Sequence, residues 1–469
     1  MKIQVKELGA IKEGTIDLSK KLNVFCGPNG TGKTYMAYVI YALTKLNNKS
    51  IGIRLSDDFV KQALVEKQFS IEINSEILLN FRNSEVLKTK NNLWNLFSVQ
   101  ESKSDTFFQK TEINVIESND EFVSNFVALE FDTELNYYSF SFSLLKKINS
   151  KIINVKVKEN GIKNEDFTDF LEIVFLSRLY SLLAFYPISN SIIFPVERNS
   201  IYTFSKELSL KRNEAFDHIE AIANKKDADL IDLFFKRSTR YPQPIKDCLQ
   251  MAEDLENKIK INSPYYNFAT EIETELLKGK VVVTKYGSVE FSSDKAAKTQ
   301  QLSFHQSSSI VKTLASLVIY LKHEAQHNDL VIIDEPEVNL HPDNQIKLAR
   351  IFSRLVNKGL RLIISTHSDY IVREFNNLIM IEKGDEKLKK LAKDKGDYRE
   401  DEYLIANEVA AYVFDFKVTR GKEALKTEVK QITITESGFD IPSVDKEIQK
   451  QNTIAEELYY SLKYGTINE

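Results

Sequence analysis

The segment Phe25–Thr34, "FCGPNGTGKT", restricts the fold more than any other stretch, because Gly27, Gly32, Lys33 and Thr34 complete the pattern G-x-x-x-x-G-K-[ST]. An apolar run, Leu22–Cys26, precedes it, and Met36, Val39, Ile40 and Leu43 follow at helical spacing. Strand, glycine-rich turn and helix in that order make a phosphate loop. The glycines let backbone N–H groups curl around the phosphates without Cβ clashes, and the opening helix adds free donors and a favourable dipole. Asn29, Gly30, Thr31, Gly32, Lys33 and Thr34 are therefore expected to bind the nucleotide, Lys33 as a point charge and Thr34 as a hydroxyl ligand to Mg²⁺.

Two more short apolar runs, "LVIID" (Leu330–Asp334) and "LRLIIST" (Leu360–Thr366), read with Leu22–Cys26 as strands of a parallel sheet buried on both faces. Ligands collect at the carboxyl ends of such strands, so the three ends form three walls of one site. Asp334 is expected to hold Mg²⁺ through water, and Glu335 to polarise the water that attacks the γ-phosphate. His367, just past the third run, is placed to contact the γ-phosphate. Ser307, Ser308 and Ser309 precede the apolar helix pattern of "HQSSSIVKTLASLVIYL"; they read as helix caps and, alternatively, as an anion site.

At 469 residues and 42% hydrophobic content the chain can bury a large core. It has no uncharged apolar run long enough to span a bilayer, and charges begin at the second residue, so a cytoplasmic protein with no membrane partner is expected. Two cysteines, Cys26 and Cys248, are too few for a disulfide framework or a cysteine metal cluster. The net charge of −4 does not mark a polyanion binder. "KLKKLAKDK" (Lys387–Lys395) is interrupted by an acid and reads as a solvated face or, alternatively, as a nucleic-acid contact. "HEAQH" (His323–His327) matches the zinc-protease pattern, but it sits where the helix ends and a buried strand begins, which argues against a metal site. No D-x-D follows His367, so a nuclease within the chain is not expected.

The order of phosphate loop, serine-rich helix start, "DEPE" and "STH" resembles the ABC-type ATPase heads of the SMC, RecF and OLD groups, over the beginning of the chain and about residues 300–370. The resemblance implies ATP and Mg²⁺ as ligands and a homodimer or higher oligomer of paired heads. In it Ser307, Ser308 and Ser309 close over the partner's nucleotide, and "NLHP" (Asn339–Pro342) lies at the dimer seam. This sequence departs from the pattern in having "HQSSS" for the usual signature and no locatable Q-loop glutamine. More narrowly, "AIKEGTIDL…LNVFCGPNGTGKTYMAY", "FPVERNSIYTFSKELSLKRNE" and "HQSSSIVKTLASLVIYLKHEA" resemble bacterial ATPases that accompany nucleases in anti-phage defence, of the Septu, retron-associated and PARIS types. That implies a separate nuclease effector, with nucleic acid reached directly or through it. In this setting Glu197 and Arg198 either reach the nucleotide or form a structural ion pair. Competing readings are a RecF-like or SMC-like DNA-repair ATPase and an ATP-binding scaffold with little turnover.

The expected fold class is α/β: a P-loop NTPase head of the ABC type, a mixed sheet with helices, carrying an inserted α+β subdomain and a helical lobe. Residues 1–50 hold the N-terminal part of the head, 51–190 the insertion, 191–205 a return strand and 206–275 the helical lobe, broken in two by Pro242 and Pro244. Residues 276–375 complete the head, and 376–469 form a C-terminal region suited to docking a partner.

Overall fold

The computed structural model describes residues 1–45, 65–136, 140–159, 175–203, 241–285, 287–294, 301–417 and 426–464, together with residues 56, 60, 63 and 171. Its centre is a nine-stranded sheet. In chain order the strands are β1 (Lys2–Leu8), β2 (Ile11–Asp17), β3 (Leu22–Cys26), β4 (Glu112–Ile116), β5 (Ser191–Phe194), β6 (Leu330–Asp334), β7 (Arg361–Ser365), β8 (Val409–Lys417) and β9 (Lys426–Ile432). Across the sheet they run β4-β1-β2-β9-β8-β3-β7-β6-β5. The block from β8 to β5 is parallel, whereas β4, β1 and β2 pair antiparallel. This is the mixed α/β sheet the sequence predicts.

Buried apolar side chains alternate between two cores, as the two-residue period of a strand requires. Phe25, Ile332, Ile363, Ala410 and Tyr412 enter one core. Val24, Ile333, Ile364 and Ala411 enter the other. Helix α1 (Lys33–Thr44) covers the first face with Met36, Val39, Ile40 and Leu43. Helices α2 (Ser309–His323), α3 (Pro342–Asn357) and α4 (Asp369–Lys383) cover the second.

Register brings the site together. Ser365 stands beside Phe25 on one side and Asp334 on the other, and Phe194 pairs with Ile333. The segments that leave β3, β6, β7 and β5 therefore emerge along one edge.

Two regions differ from the sequence expectation. The insertion at 51–190 does form a separate four-stranded antiparallel sheet, from Gln68–Glu72, Phe131–Asn136, Phe140–Lys146 and Ile152–Glu159. But "TEINVIES" leaves it to become β4, an edge strand of the head paired with β1. The C-terminal region 376–469 is not separate from the head either: β8 pairs with β3 and β9 with β2, filling the middle of the sheet. Its run "VAAYVFDF" is nearly continuous in apolar residues, as a doubly covered strand should be. Residues 206–240 of the predicted helical lobe lie outside the described residues. Pro242 and Pro244 open the helix Gln243–Glu253, where a missing N–H costs nothing. No helix of the described residues is long and apolar enough to cross a membrane.

Candidate active site

The phosphate loop is shaped by close packing. Gly27 has φ 130°, and a Cβ there would run into the carbonyl of Phe414 on β8, so only glycine fits between the strand end and its neighbour. Gly32, at φ 95°, is the N-cap of α1 and supplies no side chain to the open first-turn donors, which remain free for an anion. Thr31 is fully buried and its hydroxyl donates to the Pro28 carbonyl at 2.8 Å, pinning the turn. Asn29 and Gly30 are exposed at its tip. Lys33 is buried, and its Nζ donates to the carbonyls of Gly27 and Pro28, each at 2.9 Å. Burial lowers its pKa, against the pull of Asp334 and Glu335. A desolvated ammonium held only by neutral carbonyls is a ready partner for phosphate oxygens.

Asp334 closes the second wall. Its carboxylate accepts from the Thr34 hydroxyl at 2.7 Å and from the Ser365 hydroxyl on β7. A hydroxyl and a carboxylate meeting at the helix start form an oxygen donor set that fits Mg²⁺. Ser365 was not legible as a site residue, although its place at the end of a buried strand beside Asp334 is the signal that could have found it.

Glu335 has φ 47°, a left-handed backbone that costs about 1–3 kcal/mol at a non-glycine residue and persists only where its surroundings hold it. Its N–H donates to the Ser365 carbonyl at 3.0 Å. Burial and the neighbouring Asp334 raise its carboxyl pKa, while Lys33 and Arg198 oppose the rise. His367 Nε2 stands 3.7 Å from Glu335 Oε1. Burial and Lys33 lower the histidine pKa, which favours the neutral ring. Its backbone is fixed by Glu337, the second acid of "DEPE", which accepts from the His367 N–H at 2.6 Å and the Thr366 hydroxyl at 2.9 Å. Lys33, Thr34, Asp334, Glu335 and His367 thus come together at one edge.

The remaining sequence candidates sort differently. Ser308 is the N-cap of α2 by position but makes no side-chain cap hydrogen bond, and it is exposed together with Ser309. Ser307 is buried, with its hydroxyl donating to the Ser303 carbonyl at 3.3 Å, so only two of the three serines face outward. Arg198 is 2% exposed and turned inward: among the described residues it forms no ion pair and donates to backbone carbonyls, including those of Asp334 at 2.6 Å and Glu335 at 2.8 Å. The zinc-like motif is no metal site. His323 ends α2 with Nδ1 2.9 Å from the Ile261 carbonyl, and Glu324 pairs with Lys258 at 2.6 Å. Among the described residues no cluster of three or more His, Cys, Asp or Glu side chains could hold a metal. "KLKKLAKDK" lies on an exposed helix, Glu386–Gly396, as a solvated face should.

A mixed sheet, a glycine-rich turn opening a helix and paired acids at the adjoining strand end define an α/β P-loop ATPase fold. The chain belongs to the AAA_15 family, the AAA ATPase domain, which matches residues 1–372. No curated protein matches it. Among solved structures, it is similar to the Smc head domain of Pyrococcus furiosus bound to the C-terminal domain of ScpA, at 12% identity and a TM-score of 0.32 over 98% of each chain. It is also similar to the SMC head domain from Thermotoga maritima, at 11% identity and a TM-score of 0.29, covering 92% of this chain and 98% of that one.

Proposed function

We propose that this chain binds ATP with Mg²⁺ and hydrolyses it to ADP and phosphate, in the cytoplasm, with Glu335 as general base. The observation that carries the reading is the Thr34–Asp334 contact of 2.7 Å beside a Glu335–His367 approach of 3.7 Å, at the edge where Lys33 is buried. The loop amides and Lys33 hold the triphosphate, while Thr34 and Asp334 hold the ion. Bound Mg²⁺ supplies charge stabilisation to the transferring phosphoryl group. Glu335 takes a proton from water as the water oxygen bonds to the γ-phosphorus, and the bond to the β,γ-bridging oxygen breaks, with its electrons leaving on ADP. A carboxylate made more basic by burial suits that role. Neutral His367 donates a hydrogen bond toward the γ-phosphate.

Exposed Ser308 and Ser309 at the uncapped start of α2 support head pairing, in which each subunit closes over the other's nucleotide. On the resemblance of three segments to defence ATPases, we assign the paired heads to the control of a separate nuclease effector in a bacterial anti-phage system. The test is Glu335→Gln: ATP binding is retained, hydrolysis falls by roughly 10²–10⁴, and the dimer persists in size-exclusion chromatography with ATP. Normal turnover in that variant removes Glu335 as the base. Copurification of a nuclease with the tagged variant, and its loss with Lys33→Ala, tests the effector reading.

A further inference from the structure

We propose that Arg198 is a positioning residue for hydrolysis: its guanidinium clamps the backbone of Asp334 and Glu335 and ties it to α2, so that the aim of the Glu335 carboxylate follows the position of that helix. The inference rests on the reading of Glu335 as base.

Arg198 lies four residues beyond β5, and its buried guanidinium has, among the described residues, only carbonyl oxygens as hydrogen-bond partners. One terminal nitrogen donates to Asp334 O at 2.6 Å and to Pro195 O at 3.1 Å, and the other donates to Glu335 O at 2.8 Å. Nε donates to Thr313 O, in the second turn of α2, at 3.4 Å. A planar fork with five donors in fixed directions serves three backbone segments at once, whereas an ammonium offers three rotatable donors from one point. Of the two acids whose carbonyls it holds, Glu335 is the one with left-handed backbone, where a peptide rotation would swing the carboxylate away from the site. A second link runs parallel to the clamp: the Thr313 hydroxyl donates to the Val338 carbonyl, at 3.3 Å, in the turn after Glu335. The helix that begins with Ser308 and Ser309 and the turn that carries the base are thus joined through Arg198 and Thr313. A shift at the serine end therefore reaches the base without passing through solvent. Burial lowers the Arg198 pKa to about 10, still charged at neutral pH.

The experiment compares Arg198→Lys and Arg198→Met with wild type and Glu335→Gln, reading kcat, KM, affinity for a non-hydrolysable ATP analogue and thermal midpoint. Misplacement of a base by about 1 Å costs on the order of a hundredfold. The expected result is a drop of about that size in kcat for Arg198→Met and partial recovery for Arg198→Lys, with analogue affinity within about threefold of wild type. If Arg198→Met does not fold, Arg198→Lys decides alone, with the expected tenfold or greater loss of kcat at unchanged affinity. Wild-type kcat in the folded lysine variant, or losses of affinity and thermal midpoint that account for the whole drop, overturn the inference. Active wild type with inactive Glu335→Gln keeps the base reading intact whatever Arg198 does. Equal turnover in wild type and Glu335→Gln removes that reading, and the inference with it.

Discussion

Two aspartates bracket β6, both 3% exposed, and their surroundings treat them in opposite ways. Asp329, at the amino end, accepts from the Tyr320 hydroxyl at 2.6 Å and the Gln326 N–H at 2.8 Å, and burial pushes its pKa up to about 7. Asp334, at the carboxyl end, meets Thr34 and Ser365 beside the Lys33 ammonium. Nor does space mark the site: a cavity of about 1060 Å³ opens at the amino end, lined by Tyr41, Lys45, Asp247 and Asp329, and none of the phosphate-loop residues lines it. What separates the two aspartates is convergence. Loops from β3, β6 and β7 meet at the carboxyl edge and bring donors and a cation, whereas Asp329 accepts from its own helix-to-strand turn and one phenol.

Substitutions can break that contrast. The largest effect is expected from Asp334→Asn, which removes the anionic oxygen facing Thr34: phosphate release should fall about a hundredfold or more. Unimpaired turnover would erase the distinction between the two ends. His367→Asn should lower kcat about tenfold, the worth of one hydrogen bond to a charged group, with KM nearly constant. A rise in KM alone would instead make His367 a binding residue. The smallest effect on turnover, within about twofold, is expected from Asp329→Asn, because structure and not chemistry holds that carboxyl. Its signature lies in stability. The folded pKa is raised, so the native state binds the proton more tightly than the unfolded chain does. The stability linked to that proton is full below the ordinary aspartate range and is lost as pH rises through about 7. Asparagine carries no such proton, and urea unfolding of the variant should be flatter than wild type between about pH 4 and pH 7. Parallel curves would show that Asp329 titrates normally.

The carboxyl-edge residues were legible because each follows a continuous apolar run, and a run of that kind fixes both the strand and the side on which its successor emerges. Lys33, Asp334, Glu335 and His367 were found in this way. Arg198 was not understood, since its partners are carbonyls contributed by other segments, and no sequence spacing encodes a carbonyl's position. Ser307 was grouped with its neighbours, but its hydroxyl turns inward to Ser303 because a 3-10 turn at Phe304–Gln306 precedes it. Glu337 carries no signal in the sequence, because its task of fixing the His367 backbone depends on β6 and β7 being adjacent. The strands β8 and β9 were passed over for a similar reason: "VAAYVFDF" is readable as a strand, but its place beside β3 is a matter of topology.

That topology has a consequence for how the protein is made. β2 and β3 are close neighbours in sequence, yet β9 and β8, made long after both, stand between them. A nascent chain that has emerged only as far as residue 400 owns every carboxyl-edge side chain discussed above but lacks the slab against which Gly27 is pressed. Two fragments of pleated structure with unsatisfied edges must then wait side by side, a state that invites chaperone capture, until the closing hairpin slides in and zips them together.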